Sequence, residues 1–346
     1  MGETCDVMII GGGPAGAVAA RVLAEHGRSV VVMEASSGPA AKPGEGLAPE
    51  AAPIVARLGL RAALAPGAGI ARPCLGIRSA QNSAAARYRD YAFEPFGLGW
   101  LIDRKAFEAR LAADACSAGV TWHWNARATS AQRHDTAWRI CVPALGASMP
   151  TARLVIDASG RRAVLARWMG RRRLRCAALV AAVFTAQSQR PMPEPGWIDV
   201  ETVPQGWWYA SQGPGGVCHG MFFGSPAAVR SLLQENRRRP NAWLPSVGGR
   251  RVVDLIRRGE FAVHEAGSSR LNRFVGAGWL AIGDAATTFD PISSQGLHHA
   301  LASGLIGAMT ADAVLAGRRS AARSYAHALS STFAHHRRLL ALHYAS

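Results

Sequence analysis

The 346-residue sequence has no apolar run long enough to span a membrane as a helix. Its longest apolar runs, at 179–185 and 279–282, are far shorter than the roughly 20 residues that such a helix needs. We also expect no secretory signal, because a Gly-rich turn directly follows the first apolar strand. With 49% hydrophobic and 18% charged residues, we expect a cytoplasmic protein with a large buried core and no membrane span.

The sequence also lacks paired cysteines. Its six cysteines form no C-x-x-C pair and no Cys/His grouping at a spacing that is typical of zinc sites. The two His-His pairs, at 298–299 and 335–336, lie on predicted helices, where neighbouring side chains point about 100° apart. The sequence therefore predicts neither a metal site nor a disulfide framework.

Lysine is nearly absent, since Lys42 and Lys105 are the only two. Arginine thus supplies almost all of the positive charge behind the net charge of +16. A basic surface attracts acidic partners, but such an arginine excess is also typical of a genome's base composition, and the basic residues do not alternate with aromatic ones in a stripe. We predict no nucleic-acid partner and leave an acidic protein or peptide partner open.

What the sequence does contain is a Gly-rich turn between a strand at 5–10 and a helix. Gly11, Gly13 and Gly16 have the G-x-G-x-x-G spacing of a dinucleotide site, and the next strand ends at Glu34. Gly11 permits the tight turn, Gly13 lets a pyrophosphate approach the helix N-terminus, and Gly16 lets the helix pack on the strand. Glu34 would accept hydrogen bonds from the ribose. The predicted contacts are completed by Pro14, Ala15 and Ala35.

A second motif lies near the other end of the chain. GWLAIGDAATTFDPISSQGLHHAL, at 278–301, resembles the second FAD motif of the group A flavoprotein monooxygenases and their halogenase and reductase relatives. The resemblance implies that Asp284 holds the FAD ribityl chain and that the loop and helix start at 291–297 place backbone N–H groups beside the flavin. A helix N-terminus there would stabilise the negative charge of reduced flavin. The implied contacts are Gly283, Asp284, Pro291, Gln295, Gly296 and Leu297.

Two internal segments are similar to the same superfamily. DASG at 157–160 resembles its Asp-Gly motif, which is linked to FAD and to the nicotinamide cofactor, and Arg104 resembles the arginine that helps to hold the FAD pyrophosphate. The alternatives are a solvated helix residue for Arg104 and a turn-forming acid for Asp157. The implied FAD contacts of this part are Arg104, Ala128, Asp157 and Gly160.

We therefore predict an α/β fold, in which a Rossmann-like FAD-binding domain of the p-hydroxybenzoate-hydroxylase type carries an inserted antiparallel β-sheet substrate domain. The alternating apolar segments at 176–265 indicate that sheet. The predicted division has FAD-binding segments at 1–75, 101–175 and 266–316, substrate-domain segments at 76–100 and 176–265, and a C-terminal helix at 317–346.

Features of flavin-dependent halogenases are present only in part. KPGEGL at 42–47 and FDPISSQG at 289–296 resemble halogenase segments. However, no lysine lies between Gly46 and Lys105 to relay hypohalous acid, and the W-x-W-x-I-P motif is missing. In its place stands GWWYASQGP at 206–214. Its GWWYA part, combined with FDPISSQG, resembles the sequence of monooxygenases that hydroxylate a tryptophan side chain of a partner protein during quinone-cofactor formation.

The sequence thus predicts a monooxygenase that uses FAD, NAD(P)H and O2 to hydroxylate an aromatic ring of a small molecule, peptide or protein. A substrate pocket is predicted at Glu45, Trp207, Trp208 and Tyr209, although the aromatic residues could equally fill the core. No catalytic acid or base is assigned; Glu45 and His219 are polar groups near the predicted site. The alternatives are a reductase of the geranylgeranyl-reductase type, a halogenase, which the missing lysine disfavours, and a non-catalytic flavin-bound maturation partner.

Overall fold

The structure, a computed structural model, describes residues 4–81, 86–146, 151–187, 196–238 and 261–345. In chain order its helices are α1 (Pro14–Glu25), α2 (Ala52–Arg57), α3 (Arg104–Ser117), α4 (Val164–Trp168), α5 (Pro226–Arg238), α6 (Gly296–Leu315) and α7 (Ser320–Ala345). Its strands are β1 (Thr4–Ile10), β2 (Val30–Met33), β3 (Gly46–Leu47), β4 (Ala71–Cys74), β5 (Gly76–Gln81), β6 (Arg87–Asp90), β7 (Gly99–Ile102), β8 (Thr121–His123), β9 (Ser130–His134), β10 (Ala137–Cys141), β11 (Thr151–Asp157), β12 (Arg173–Arg175), β13 (Val180–Gln187), β14 (Trp197–Val203), β15 (Gly206–Gln212), β16 (Val217–Gly224), β17 (Phe261–Glu265), β18 (Ser269–Leu271), β19 (Val275–Gly276), β20 (Trp279–Ala281) and β21 (Thr287–Thr288).

A largely parallel sheet carries the Gly-rich turn. Its strands lie in the order β19-β20-β11-β1-β2-β8, and β10 and β9 extend it from β11. Strand β1 pairs in parallel with β2 and with β11, so the carboxyl ends of these strands meet at one edge. Residues 7–10 of β1 are all buried, as expected of a strand that is covered on both faces.

Helix α1 packs against both α3 and α6 beside this sheet. A Cβ on Gly304 of α6 would lie 2.6 Å from the carbonyl oxygen of Ala15, so glycine permits the close approach of α6 to α1. Asp103 caps α3 by accepting a hydrogen bond of 3.0 Å from the Ala106 N–H, as its sequence position predicts. Phe107 of α3 is fully buried against the same core.

The second large sheet has seven strands in the order β17-β13-β16-β15-β14-β5-β6. The segment predicted as antiparallel supplies β13 to β17, and β5 and β6 join it from 76–90. One pairing corrects that prediction, because β14 and β5 are parallel. Two three-stranded sheets, β12-β18-β21 and β3-β7-β4, complete the fold. The predicted α/β class with an inserted, mainly antiparallel sheet is confirmed, and the residue limits of the domains stay a prediction.

In the part of the chain that the structure describes, no helix combines the length and the apolar character needed to cross a bilayer.

Candidate cofactor and substrate site

The Gly-rich turn joins β1 to α1, and its three motif glycines have different surroundings. Gly11 has a φ of +105°, which favours glycine, and a Cβ on it would lie 2.4 Å from the Ala158 carbonyl oxygen. A Cβ on Gly16 would lie 2.1 Å from the Gly11 carbonyl oxygen. These two glycines permit close packing, whereas a Cβ on Gly13 would meet no atom within 4 Å. Gly13 therefore leaves space where a pyrophosphate could approach.

Helix α1 begins next to the turn that carries Asp284. Pro14 is its first residue and Gly13 its N-cap, so no side chain caps its first N–H groups. A Cβ on Gly283 would lie 2.8 Å from the Cβ of Ala15. The structure thus brings the two predicted cofactor motifs into contact, which one shared dinucleotide would require.

Glu34 lies at the end of β2 beside the Gly-rich turn. Its carboxylate accepts hydrogen bonds of 2.7 Å from the N–H groups of Gly12 and Ser36. These two hydrogen bonds orient the carboxylate, and its remaining lone pairs can still accept hydrogen bonds from a ligand. Ala35 is exposed and Ala128 is half-buried. Because neither side chain extends beyond Cβ, polar contacts of these two residues with a cofactor would come from the backbone.

Arg104, the first residue of α3, is not a solvated helix residue. Its guanidinium donates to the Gly44 carbonyl oxygen at 3.1 Å and to Glu108 at 2.6 Å. Glu108 is buried and also accepts a 2.6 Å hydrogen bond from Lys42. Within the described residues, the buried Nε of Arg104 has no hydrogen-bond partner. This cation therefore keeps an unused donor beside the 43–44 segment.

Asp157 ends β11 and is completely buried. Its carboxylate accepts hydrogen bonds from the Ser159 hydroxyl at 2.5 Å, the Ser159 N–H at 3.1 Å and the Ala166 N–H at 2.9 Å. Burial raises the pKa of Asp157, and these hydrogen bonds oppose the rise. The side chain thus organises its own turn, which continues through Gly160 at a φ of +66°. A contribution of this segment to the cofactor would come from the backbone.

Asp284 lies on the turn after β20, close to two arginines that the sequence reasoning did not include. Its carboxylate is 3.7 Å from the Arg161 Nε, and Arg173 donates to its carbonyl oxygen at 2.8 Å. The Asp284 side chain keeps 40% of its surface accessible. It can therefore accept hydrogen bonds from hydroxyl groups such as those of a ribityl chain. Arg161 directly follows the DASG segment at 157–160, so its position in the sequence could have indicated that it lies near the cofactor site.

The loop before α6 is built for a tight change of direction. Pro291 opens a short 3-10 turn, and Ser294 has a φ of +52°. Helix α6 follows with Gln295 as its N-cap and no side-chain cap, and a Cβ on Gly296 would meet no atom within 4 Å. Leu297 is buried in the core. The start of α6 thus has open space beside it, as the start of α1 does.

One face of the seven-stranded sheet carries a buried apolar cluster that is centred on Trp207, Met221 and Phe223. We call this cluster the apolar wall. The Trp207 and Phe223 rings are stacked, with centroids 3.9 Å apart, and Ile292 of the loop before α6 packs against this cluster. Trp208 lies on the opposite face, in a separate buried cluster that also contains Phe222 and Leu232 of α5. The structure therefore does not place Trp208 in the predicted pocket, a result that the two-residue period of a strand could have predicted.

Glu45 is completely buried where β3 meets the apolar wall. It accepts hydrogen bonds from the Tyr209 hydroxyl at 2.7 Å and from the Ser211 hydroxyl. Burial alone would raise the pKa of Glu45, but His219, Ser211 and Tyr209 together lower it. Burial, reinforced by Glu45, raises the pKa of Tyr209 well above its ordinary value. Glu45 is thus an ionised acceptor and Tyr209 a neutral donor. Ser211 was missed, although it continues the alternation of Trp207 and Tyr209.

Comparison with known proteins identifies the family. A sequence family described as an FAD binding domain matches residues 4–205. LodB of Marinomonas mediterranea, named as an FAD-dependent oxidoreductase, is 25% identical over 337 residues, which cover 93% of this chain and 90% of LodB. The menaquinone reductase of Mycobacterium tuberculosis is 27% identical over 331 residues, which cover 90% of this chain and 77% of that enzyme.

Solved structures agree with the fold. A triple mutant of the flavin-dependent brominase Bmp2 has a TM-score of 0.79 and 20% identity, over 93% of this chain and 83% of that one. The resemblance to the monooxygenase and halogenase superfamily is confirmed. This chain belongs to the FAD binding domain family and is an FAD-dependent oxidoreductase.

Proposed function

We propose that this chain is a monooxygenase that hydroxylates an aromatic ring with FAD, NAD(P)H and O2. When bound, FAD that has been reduced by NAD(P)H activates O2 so that one oxygen atom enters the ring. The observation that carries the proposal is the apolar wall, whose stacked Trp207 and Phe223 rings lie against Ile292 of the loop predicted to contact the flavin.

The described residues offer suitable groups for the pyrophosphate, the hydroxyl groups and the flavin ring of FAD. The open space at Gly13 suits the pyrophosphate, and the unused Nε of Arg104 can donate to it. Glu34 and Asp284 would supply carboxylates for the FAD hydroxyl groups, and the N-terminus of α6 would stabilise negative charge on the flavin. We assign FAD binding to Gly11, Gly13, Pro14, Ala15, Gly16, Glu34, Ala35, Arg104, Ala128, Asp157, Gly160, Gly283, Asp284, Pro291, Gln295, Gly296 and Leu297.

The apolar wall would orient the substrate. A flat aromatic ring gains contact area and a defined tilt from stacked or edge-to-face neighbours. Apolar side chains also keep water away from the reacting atoms, which limits side reactions of the reduced cofactor. The substrate would be a small aromatic molecule or an aromatic side chain of a peptide or protein, with tryptophan as the side chain that the resemblance implies.

The positions of the lysines argue against halogenation. Lys42 is bound to Glu108, and Lys105 is exposed on the first turn of α3. Neither is among the residues of the apolar wall. The wall therefore offers no ammonium group that could carry a halogen to the substrate.

A flavin-dependent reductase is the second candidate, because most of this chain aligns with a protein named as a menaquinone reductase. An apolar wall would also accept a quinone or an isoprenoid chain. The two candidates differ in the fate of the electrons, since a reductase delivers them to the substrate and a monooxygenase delivers them to O2.

Turnover of the FAD-loaded chain separates the candidates. We would measure NADH and NADPH oxidation with indoles, phenols, tryptophan-containing peptides, menaquinone and isoprenoid lipids, with and without O2, and determine product masses. Oxygen-dependent turnover with a product that has gained one oxygen atom supports the proposal. Turnover without O2 and gain of two hydrogens would support the reductase. A protein that binds FAD but oxidises no reductant with any of them would be a non-catalytic partner.

A further inference from the structure

Two tryptophans lie beside the Gly-rich turn and are not among the residues assigned so far. Trp122 belongs to β8, which pairs in parallel with β2, so the carboxyl ends of both strands lie at the edge of the sheet that carries the turn. Trp124 follows β8, and its ring is tilted by 41° from the Trp122 ring at a centroid distance of 5.3 Å. Both side chains are half-buried. The two rings therefore form an aromatic pair at this edge.

The indole of Trp122 contacts the turn itself. A Cβ on Gly12 would lie 2.4 Å from Trp122 Cζ2, and 3.2 Å from both Trp122 Cε2 and Glu34 Cβ. Gly12 does not have a positive φ, so the indole, rather than the backbone conformation, requires glycine at this position. The Gly12 N–H also donates to the Glu34 carboxylate at 2.7 Å. Trp122 thus lies directly beside the acid that we assign to the ribose.

The indole N–H of Trp122 is buried and has no hydrogen-bond partner among the described residues. Native proteins leave few buried donors unpaired, because the unpaired state is costly. Trp138 has the same feature, but it pairs with Ala152, level with Cys5 near the start of β1, whereas Gly12 follows the end of that strand. The unpaired donor of Trp122 therefore lies at the cofactor motif and that of Trp138 lies far from it.

We infer that Trp122 binds the adenosine half of FAD and that its Nε1–H donates a hydrogen bond to an adenosine acceptor. In dinucleotide folds the acid at the end of the second strand binds the ribose that carries adenine, and here that acid is Glu34. Adenosine offers ring nitrogens and ribose oxygens as acceptors, whereas an indole N–H can only donate. The flat faces of Trp122 and Trp124 also suit a purine ring. The inference concerns cofactor binding alone and does not rest on the proposed hydroxylation.

The test compares ligand binding to the full-length chain, after removal of FAD, in the wild type, Trp122→Phe and Trp138→Phe. ADP carries the adenosine and pyrophosphate of FAD without the flavin. In Trp122→Phe the Kd values of FAD and of ADP should both rise about five- to tenfold, because both ligands lose the same hydrogen bond. Trp138→Phe also removes a buried, unpaired indole N–H and should leave both Kd values unchanged. An unchanged ADP Kd in Trp122→Phe would overturn the inference.

Inorganic pyrophosphate separates adenosine binding from a general disturbance of the turn. It competes with ADP but contains no adenosine, so its Kd should be the same in the wild type and in Trp122→Phe. If pyrophosphate loses as much affinity as ADP, Trp122 supports the shape of the turn and does not bind adenosine.

Indole fluorescence gives a second measurement on the wild type itself. A purine beside an indole should quench its emission, so saturating ADP should quench the wild type and Trp138→Phe but not Trp122→Phe. The absence of quenching in the wild type, or equal quenching in Trp122→Phe, would overturn the assignment. Neither result would bear on the proposed hydroxylation, because no reductant takes part in these measurements.

Discussion

Tyr344, in the last turn of α7, donates a hydrogen bond of 3.0 Å to the carboxylate of Asp290, at the start of the loop before α6. Two turns earlier on α7, His336 Nε2 accepts from the Asp290 N–H at 3.3 Å and lies 3.0 Å from the Ser268 hydroxyl. The C-terminal helix therefore holds the loop that we assign to the flavin from two points.

Loss of the Tyr344 hydroxyl should weaken FAD binding. In Tyr344→Phe the loop loses one of its ties, and since a hydrogen bond to a charged group contributes about 1.5 kcal/mol or more, we expect the FAD Kd to rise about tenfold. Quenching of flavin fluorescence on binding measures it. Tyr88→Phe should leave the Kd unchanged, and an equal Kd in Tyr344→Phe would contradict the role of α7.

Buried histidines should make the protein sensitive to mild acid. Burial lowers the pKa of His299 and of His336 to about 4 from an ordinary value of 6.5. Because the folded state binds fewer protons than the unfolded state between these values, stability is complete above pH 6.5 and falls as the pH drops toward 4. Between pH 7.5 and pH 5 each histidine would contribute on the order of 2 kcal/mol to this loss.

Urea unfolding at pH 7.5 and pH 5 measures this effect. His336→Gln should reduce the difference in unfolding free energy between the two pH values, while His327→Gln, at an exposed position on the same helix, should leave it unchanged. The same pH difference in His336→Gln and His327→Gln would show that His336 is not buried in its neutral form.

The glycines of the first turn should separate folding from cofactor binding. Gly13→Val adds atoms where the chain itself leaves space, so the protein should fold with a near-normal melting temperature and lose FAD. Gly16→Ala should instead destabilise the fold, because its Cβ meets the Gly11 carbonyl oxygen at 2.1 Å. Circular dichroism melting and the flavin absorption of the purified proteins report the two effects. Full FAD loading of Gly13→Val would contradict the assigned site.

The planar guanidinium of Arg104 should be needed for tight FAD binding. Arg104→Lys keeps the positive charge but loses the planar guanidinium that donates to both Gly44 and Glu108. We therefore expect the FAD Kd to rise 10- to 100-fold, which corresponds to a loss of about 1.4 to 2.7 kcal/mol of binding free energy. Arg110 forms the same i,i+4 ion pair with Asp114 on the exposed side of α3. Arg110→Lys is therefore the matched control, and equal Kd values for both variants would refute the role of Arg104.

The two adjacent tryptophans should behave differently. Trp207→Phe alters the apolar wall and should change substrate KM or the ratio of product to NAD(P)H consumed, with FAD affinity unchanged. Trp208→Phe changes the packing of the buried cluster on the opposite face of the sheet, where Trp208 lies beside Phe184 and Phe222, and should lower stability by about 1 kcal/mol or more without altering that ratio. Steady-state kinetics and thermal melting distinguish them. Identical kinetic effects would show that the wall is not the substrate surface.

The sequence predicts the cofactor half of this protein better than the substrate half. The Gly11–Gly16 turn and the Asp284 loop are local motifs whose spacing carries physical meaning, and the fold brings them into contact as expected. The contacts of Glu45 with Tyr209 and Ser211 join segments more than 160 residues apart in sequence, and no local pattern encodes such a pairing. The position of Trp208 could have been predicted, because side chains along β15 alternate between the two faces of the sheet and Trp208 therefore lies on the face opposite the apolar wall.

Oxygen labelling tests the central claim most directly. The FAD-loaded chain would be incubated with NAD(P)H, the best aromatic substrate and oxygen-18 gas, and the product analysed by mass spectrometry. We predict one labelled oxygen atom on the aromatic ring, with product formation lost in Gly13→Val. A product that carries no label, or one that has gained hydrogen in the absence of O2, would contradict the monooxygenase.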